Sequence, residues 1–218
     1  MRDGPSQFKD QRSKTKDQIA AIILAAGRSS RMGAFKPLLP FGNGTVIDAC
    51  IDSLRTAGVE EIVIVIGNHA EDLRDHLKTK QVTVASNPDP DSAMSVSIAL
   101  GVPALSASAR AVLITPADHP AVPPKTIRTL IETWRNGAKL IQPEFEGKGG
   151  HPVLIDLEFR AELLKLDTST GLRGLFTQQR QQVLRLPVQS PFVARDMDTW
   201  DDYTRLHEAV FGRKPPGK

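Results

Sequence analysis

The chain has 218 residues, 40% of them hydrophobic, 24% charged and 5% aromatic, with a formal net charge of +3. That length suits one α/β domain with a substantial core, and no run approaches ~18 consecutive apolar residues, so no membrane span is expected. The positive charge does not mark a nucleic-acid binder: residues 1–18 hold five Lys/Arg against three Asp/Glu and residues 212–218 hold three against none, which leaves the middle of the chain at −2.

In chain order, residues 1–18 are polar and lack the apolar stretch of a secretory signal, so they read as a disordered tail. The first strand is Ile19–Leu24. Helix Thr45–Ala57 follows, with Val46, Ile47, Cys50, Ile51 and Leu54 on one face and Gly58 as its stop. Cys50 sits on that apolar face and reads as a buried core thiol. It is the only cysteine, which excludes an intramolecular disulfide and suits a reducing cytoplasm. Strand Ile62–Ile66, helix Ala70–Leu77, strand Val82–Ala85, helix Ser92–Leu100, strand Ala111–Ile114 and helix Pro124–Trp134 come next. Strands Lys139–Gln142, Pro152–Ile155 and Val183–Leu186 are interleaved with helices Leu157–Leu166 and Gly171–Gln178. Pro187 to Arg195 reads as a loop. Thr199 N-caps the last helix, Trp200–Val210, with Asp201 and Asp202 at its positive end. Residues 212–218 form a basic tail. Strands alternating with helices predict an α/β fold: three layers around a mostly parallel, doubly wound sheet, in a single domain over residues 19–211.

The most informative segment is the exit from the first strand. Leu24-Ala25-Ala26-Gly27-Arg28-Ser29-Ser30-Arg31-Met32-Gly33 turns an apolar strand into a small-residue loop, and Lys36-Pro37-Leu38-Leu39 follows. Glycine permits close backbone approach, loop amides form anion-binding concavities, and Arg28, Arg31 and Lys36 add charge-assisted bonds to phosphate oxygens. The loop is neither a P-loop, since Ala34 rather than lysine follows Gly33, nor a G-x-G-x-x-G dinucleotide turn. In open α/β sheets ligands sit beyond the carboxyl ends of the strands. Two carboxylate turns fall there: Thr115-Pro116-Ala117-Asp118-His119-Pro120 and Asp196-Met197-Asp198-Thr199. By residue type alone Asp118 is equally a turn former and Asp198 equally a helix cap. His119 reads as a local hydrogen-bonder.

The pattern L-A-A-G-x-x-x-R-M-G-x-x-K-P-L-L resembles the MobA-like NTP transferase family, and within it most closely the molybdenum cofactor cytidylyltransferases. The likeness spans roughly residues 19–211, and the motifs fall in family order. It implies a Rossmann-like nucleotidyltransferase fold and an Mg²⁺-dependent transfer of a nucleoside monophosphate with release of pyrophosphate. CTP is the implied donor, since Ala26 stands where guanylyl-transferring relatives usually carry glycine. The implied acceptor is a small phosphorylated molecule such as the molybdopterin cofactor. The alternatives are a GTP-using guanylyltransferase, a sugar-1-phosphate or alcohol-phosphate nucleotidyltransferase on the same fold, and a non-catalytic nucleotide-binding accessory protein.

By the same resemblance, Leu24, Ala25, Ala26, Gly27, Arg28, Arg31, Met32, Gly33, Lys36, Gly67, Asn68, Asn87, Ser97 and Asp118 contact the nucleotide. Arg31 and Lys36 take the triphosphate, and Asp118 and Asp198 hold the metal, with Asp196 as the rival to Asp198. Asn87-Pro88-Asp89 and Ser97 match N-P-D-x-x-x-G-x-x-x-S, with Ala93 in place of the glycine. Gly150, His151 and Arg173 match the acceptor side, in G-G-H-P for R-G-H-P and S-T-G-L-R-G-L for D-x-G-A-R-x-L-L. Gly149 and Ser169 are departures from those patterns. No polymeric nucleic acid and no membrane is an expected partner, the expected location is cytoplasmic, and a recipient apo-enzyme or chaperone for the finished cofactor is left open.

Overall fold

The computed structural model describes residues 18–27, 32–67, 70–89 and 91–216. An eight-stranded sheet runs through the molecule in the order β10-β7-β9-β6-β1-β4-β5, with β8 against β7. Its strands are β1 (Ile19–Ala25), β4 (Glu61–Gly67), β5 (Thr83–Asn87), β6 (Ala111–Pro116), β7 (Leu140–Phe145), β8 (Lys148–Gly149), β9 (Val153–Asp156) and β10 (Val183–Pro187). A separate two-residue hairpin joins β2 (Pro40–Phe41) to β3 (Gly44–Thr45). The helices are α1 (Val46–Thr56), α2 (Glu71–Leu77), α3 (Met94–Gly101), α4 (Pro124–Arg135), α5 (Arg160–Leu163), α6 (Gly171–Gln178) and α7 (Trp200–Phe211). None of the described helices is long and apolar enough to cross a membrane.

All seven residues of β1 are buried because both faces of the sheet are covered. Their period of two divides the core. Ala21, Ile23 and Ala25 pack with Ile47, Ile51 and Leu54 of α1, Leu73 of α2 and Leu130 of α4. Ala20, Ile22 and Leu24 pack with Ile98 of α3, Leu163 of α5 and Leu175 of α6. Gly101 closes that second face at van der Waals range, since a Cβ there would lie 3.0 Å from Val65 Cγ2 and 3.1 Å from Ile22 Cγ2. A third cluster, with Phe41, Val46, Met197, Tyr203 and Leu206, seats α7 on the hairpin.

The parallel centre, β6-β1-β4-β5, is as the alternation predicts. The strand β9 departs from it, running antiparallel to both β6 and β7. The reason is chain length: the connection from Phe145 to Val153 is too short for a crossover helix, so β9 must turn back. Predicted helix Leu157–Leu166 resolves into a 3₁₀ turn, Leu157–Phe159, and the single turn of α5. There the Asp156 side chain takes the Glu158 amide, and Lys165 N–H bonds Glu162 C=O, three residues back. Within the predicted loop from Pro187 to Arg195, Ser190 caps a 3₁₀ turn at Pro191–Ala194. The helix ends agree with the chemistry of their residues. Thr45 and Asp48 form a reciprocal capping box on α1, Thr199 and Asp202 form another on α7, and Gly58 follows α1 at φ 95°.

Candidate active site

The chain winds from β1 outward to β4 and β5, then returns to place β6 on the other side of β1. The crevice between the carboxyl ends of β1 and β6 is therefore the topological switch point of the sheet. The loop after Leu24 and the turn after Pro116 open side by side there, tied by a hydrogen bond from the Ala117 amide to the Leu24 carbonyl at 3.0 Å. The strand β6 runs two residues beyond its predicted end, so Thr115 and Pro116 belong to the sheet and Asp118 stands at its rim.

Three distant segments meet at this rim. Lys36 Nζ lies 2.9 Å from Asp198 Oδ1 and 3.8 Å from Asp118 Oδ2. Lys36 opens a 3₁₀ turn, Lys36–Leu38, and Asp198 immediately precedes the capped start of α7. His119 Nδ1 is 2.8 Å from Asp118 Oδ1 and fixes the orientation of that carboxylate, the local role expected of it. Burial pushes the Asp118 carboxyl up, but the His119 hydrogen bond and the nearby charges of His119 and Lys36 outweigh it, and its pKa falls below the ordinary carboxylate value. Burial raises Asp196, and the negative charges of Asp198 and Asp118 raise it further. The ion-paired position beside Asp118 thus belongs to Asp198 rather than to its rival. Cys50 is buried under the same turn, with its thiol 3.5 Å from the Ala117 carbonyl and its pKa driven up by desolvation, as a core thiol should be.

Beside this cluster lies a cavity of about 210 Å³, lined among others by Leu24, Ala25, Ala26, Gly27, Lys36 and Asp118. Asn87 and Ser97 line it as well, yet Asn87 is 2% exposed and its amide is fully engaged. It donates to Ser97 Oγ at 2.8 Å and Ser92 Oγ at 2.7 Å and accepts from the Asp89 amide at 3.0 Å. Asn87 therefore ties β5 to the start of α3 and orients Ser97. Ala93 takes φ −62° and ψ 154°, a conformation open to any residue, so the glycine of the family pattern is not required here. The first turn of α3 carries no acidic residue and no side-chain cap.

Three of the predicted nucleotide contacts, Met32, Gly33 and Gly67, are not among the residues that line the cavity. Met32 is buried in the α7 cluster, and its carbonyl accepts the Trp200 indole N–H at 2.8 Å. Gly67 lets the Ala26 carbonyl pass within 3.2 Å of where a Cβ would stand. Gly33 adopts φ 61°, the left-handed conformation that glycine supplies at no cost. Arg28, Arg31 and Asn68 lie outside the described residues.

A second, larger cavity of about 910 Å³ adjoins the first and shares Met94 with it. His151 and Arg173 line it as the acceptor-side pattern implies. Gly150 is backbone only, and a Cβ there would fall 2.2 Å from the Val193 carbonyl oxygen. The same carbonyl accepts the His151 amide at 2.8 Å, which fixes His151 at the cavity wall. Burial first, then the neighbouring His119, lowers the His151 pKa to about 4 against the opposing pull of the Ile114 carbonyl bond. The ring is neutral near pH 7.

A family model for the MobA-like NTP transferase domain matches residues 21–183. The chain belongs to this family. Its likeness to a molybdenum cofactor cytidylyltransferase of Escherichia coli is 27% over 191 residues, covering 87% of this chain and 96% of that one. A nicotine blue oxidoreductase of Paenarthrobacter nicotinovorans is 25% identical, covering 86% and 96%. Among solved structures, Rv0371c of Mycobacterium tuberculosis H37Rv superposes at a TM-score of 0.77 with 31% identity over 89% of this chain and 99% of its own. A manganese complex of the same protein gives 0.76 and 30%, covering 88% and 100%. The protein is a nucleotidyltransferase, similar to the molybdenum cofactor cytidylyltransferases.

MobA-like transferases act with a divalent metal, and the donors at the rim suit one. Among the described residues no group of three or more His, Cys, Asp or Glu forms a closed metal cage. The two hard carboxylates of Asp118 and Asp198 are instead held on one cation, Lys36. Several lining residues escape the sequence reading: Ser92 in the smaller cavity, Gln142, Phe176 and Arg180 in the larger. One signal was available. Arg173, Phe176, Thr177 and Arg180 follow the i, i+3, i+4, i+7 spacing of a single helix face.

Proposed function

We propose that this protein transfers CMP from CTP to the phosphate of a molybdopterin-type cofactor and releases pyrophosphate. An acceptor phosphate oxygen forms the new bond to the α-phosphorus, and the bond from that phosphorus to the bridging oxygen of the departing pyrophosphate breaks. The observation that carries the reading is the meeting of Lys36, Asp118 and Asp198 at the switch point, beside a small cavity lined by Leu24–Gly27 that shares Met94 with a large one.

In this reading the nucleotide occupies the small cavity, with the triphosphate on the amides of Ala25 to Gly27 and on Lys36. By the family pattern Arg28, Arg31 and Asn68 are further contacts to it. Ser97, oriented by Asn87, and the uncapped amides of α3 face the same ligand. Asp118 and Asp198 hold Mg²⁺, and the bound ion supplies charge neutralisation for the reacting phosphates. His119 keeps Asp118 ionised and aimed. Lys36 stabilises charge on the leaving pyrophosphate. His151, Gly150 and Arg173 shape the acceptor side. CTP is favoured over GTP by Ala26 and by the near full-length likeness to the cytidylyltransferase. The probable guanylyltransferase of Rhodopirellula baltica matches only 54% of this chain.

Thermal shift with CTP, GTP, ATP and UTP, each with and without Mg²⁺, tests the donor. A ligand that binds the native state alone raises the melting temperature by mass action. The reading expects an Mg²⁺-dependent shift with CTP. A shift with GTP or UTP instead overturns the donor. Absence of any shift, at millimolar nucleotide and Mg²⁺, overturns the placement of the nucleotide in the small cavity.

A further inference from the structure

The wall of the large cavity is chemically lopsided. Its charged side chains are Arg173, Arg180 and Arg185, with no carboxylate among the described lining residues, although the middle of the chain is net negative. Arg185 is held by Glu144 at 3.2 Å. The guanidiniums of Arg173 and Arg180 make no hydrogen bond or ion pair to the described residues. Both extend from one face of α6 and the turn after it, two helical turns apart, and Phe176 and Thr177 lie between them on that face. A cleft lined by one sign of charge concentrates ligands of the opposite sign. The family pattern has an aspartate where this chain has Ser169, which lines the cavity without a charge. Ser169 instead donates its hydroxyl to Asp167, outside the cavity. Ser95 Oγ and His151 Nδ1 are buried in this same wall without a hydrogen-bond partner. Phe176, Val183 and Met94 give the cavity an apolar floor beneath the charged rim.

We infer that the acceptor carries a second negative group, remote from the phosphate that reacts, and that Arg173 and Arg180 bind it while a flat ring lies along Phe176. This rests on the nucleotidyltransferase reading of the adjoining cavity. The reacting phosphate must sit at the Lys36–Asp118–Asp198 rim, and the arginine face belongs to the other cavity beyond Met94, so one anionic group cannot occupy both. A planar guanidinium binds a carboxylate or oxyanion in two parallel bonds, and two of them flanking an aromatic ring select a flat anion over a neutral one. Arg180 is then a specificity-determining residue of this chain, with no counterpart in the motifs that identify the family.

The test uses fluorescent pterins as probes, with CTP and Mg²⁺ present to fill the smaller cavity. Pterin-6-carboxylate and neutral 6-methylpterin are titrated into wild type, R180Q, R180K and R173Q. The inference expects the carboxylate to bind at least ~10-fold more tightly than the neutral pterin, as one charge-assisted contact of ~1.5 kcal/mol gives. R180Q should erase that preference and R180K should restore part of it, while the CTP thermal shift of R180Q stays at the wild-type value. Equal binding of the two pterins, no measurable binding of either, or a preference that survives R180Q and R173Q overturns it. The titration is repeated without nucleotide, so loss of the CTP shift alone overturns the nucleotidyltransferase reading and leaves the anion preference to be judged separately.

Discussion

Replacing Lys36 by methionine keeps most of the apolar stem of the side chain and removes the ammonium with its charge and donors. Lys36 Nζ lies 2.9 Å from Asp198 and 3.8 Å from Asp118, so a divalent ion held by these carboxylates must displace it or share them with it. At such distances a unit-charge pair is worth about 1 kcal/mol in a water-like medium and about 4–6 kcal/mol at an effective dielectric of about 20. The side chain of Asp198 is 39% exposed and that of Asp118 24%, which draws the sum toward the lower bound, about 1–3 kcal/mol for both contacts together. Removing the competitor should therefore tighten Mn²⁺ binding in the absence of nucleotide by about 5- to 150-fold. Mn²⁺ titration followed by the electron paramagnetic resonance of the free ion measures this directly. Folded K36M protein should also melt lower than wild type without metal and recover more on adding Mn²⁺. With CTP present the order reverses, since the variant has lost a phosphate contact. A K36M protein that binds Mn²⁺ as weakly as wild type, or more weakly, refutes the competition and with it the placement of the metal between Asp118 and Asp198.

Three further outcomes follow from particular contacts. Asp48 is nearly buried and receives Lys80 at 2.7 Å, His76 at 2.9 Å and the Thr45 amide at 3.0 Å. Burial raises its carboxyl, but these donors overcome that and hold its pKa far below the ordinary carboxylate value. A depressed pKa contributes stability that is present above about pH 4 and drains away as pH falls below it, so D48N should lose about 2–4 kcal/mol at pH 7 and flatten the acid limb in urea titrations at pH 7 and pH 3. Substituting Gly150 by alanine forces its Cβ against Val193 and must displace the His151 strand entry by about 1 Å. G150A should cost about 1–3 kcal/mol in denaturant and depress acceptor turnover while leaving the CTP thermal shift intact. Trp200 pins the Met32 carbonyl, so W200F should weaken CTP binding severalfold by loosening the end of the phosphate loop, read by calorimetric titration.

What the sequence makes legible here is whatever its local chemistry dictates. An apolar β-branched run that ends at Gly27, and threonines followed three residues later by aspartate, leave little freedom. β1 and the caps at Thr45 and Thr199 accordingly stand where those residues put them. The direction of β9 is decided by a connection length and by its neighbours, not by any residue within Val153–Asp156. The switch point brings Asp118 and Asp198 to one lysine across 162 residues of chain from Lys36 to Asp198, a proximity that only motif order foreshadows. Asn87 shows the opposite limit. Its motif points to a ligand contact, yet its amide is spent on Ser92 and Ser97, because a buried polar group must find partners inside the fold. Arg180 shows a third limit: its helix-face spacing from Arg173 is legible, but an arginine there is ordinary until the described residues lining the cavity are seen to include no acid.

Pyrophosphate release from CTP, with the purified molybdenum cofactor as acceptor and Mg²⁺ present, is to be measured in wild type, D118N and D198N. The account predicts release with wild type, a product heavier than the acceptor by one CMP unit, and a loss of at least ~100-fold in either variant, consistent with removal of one electrostatic stabiliser of the reacting phosphates. Release that persists in both variants, or none from wild type with this acceptor while a sugar 1-phosphate is turned over, would contradict it.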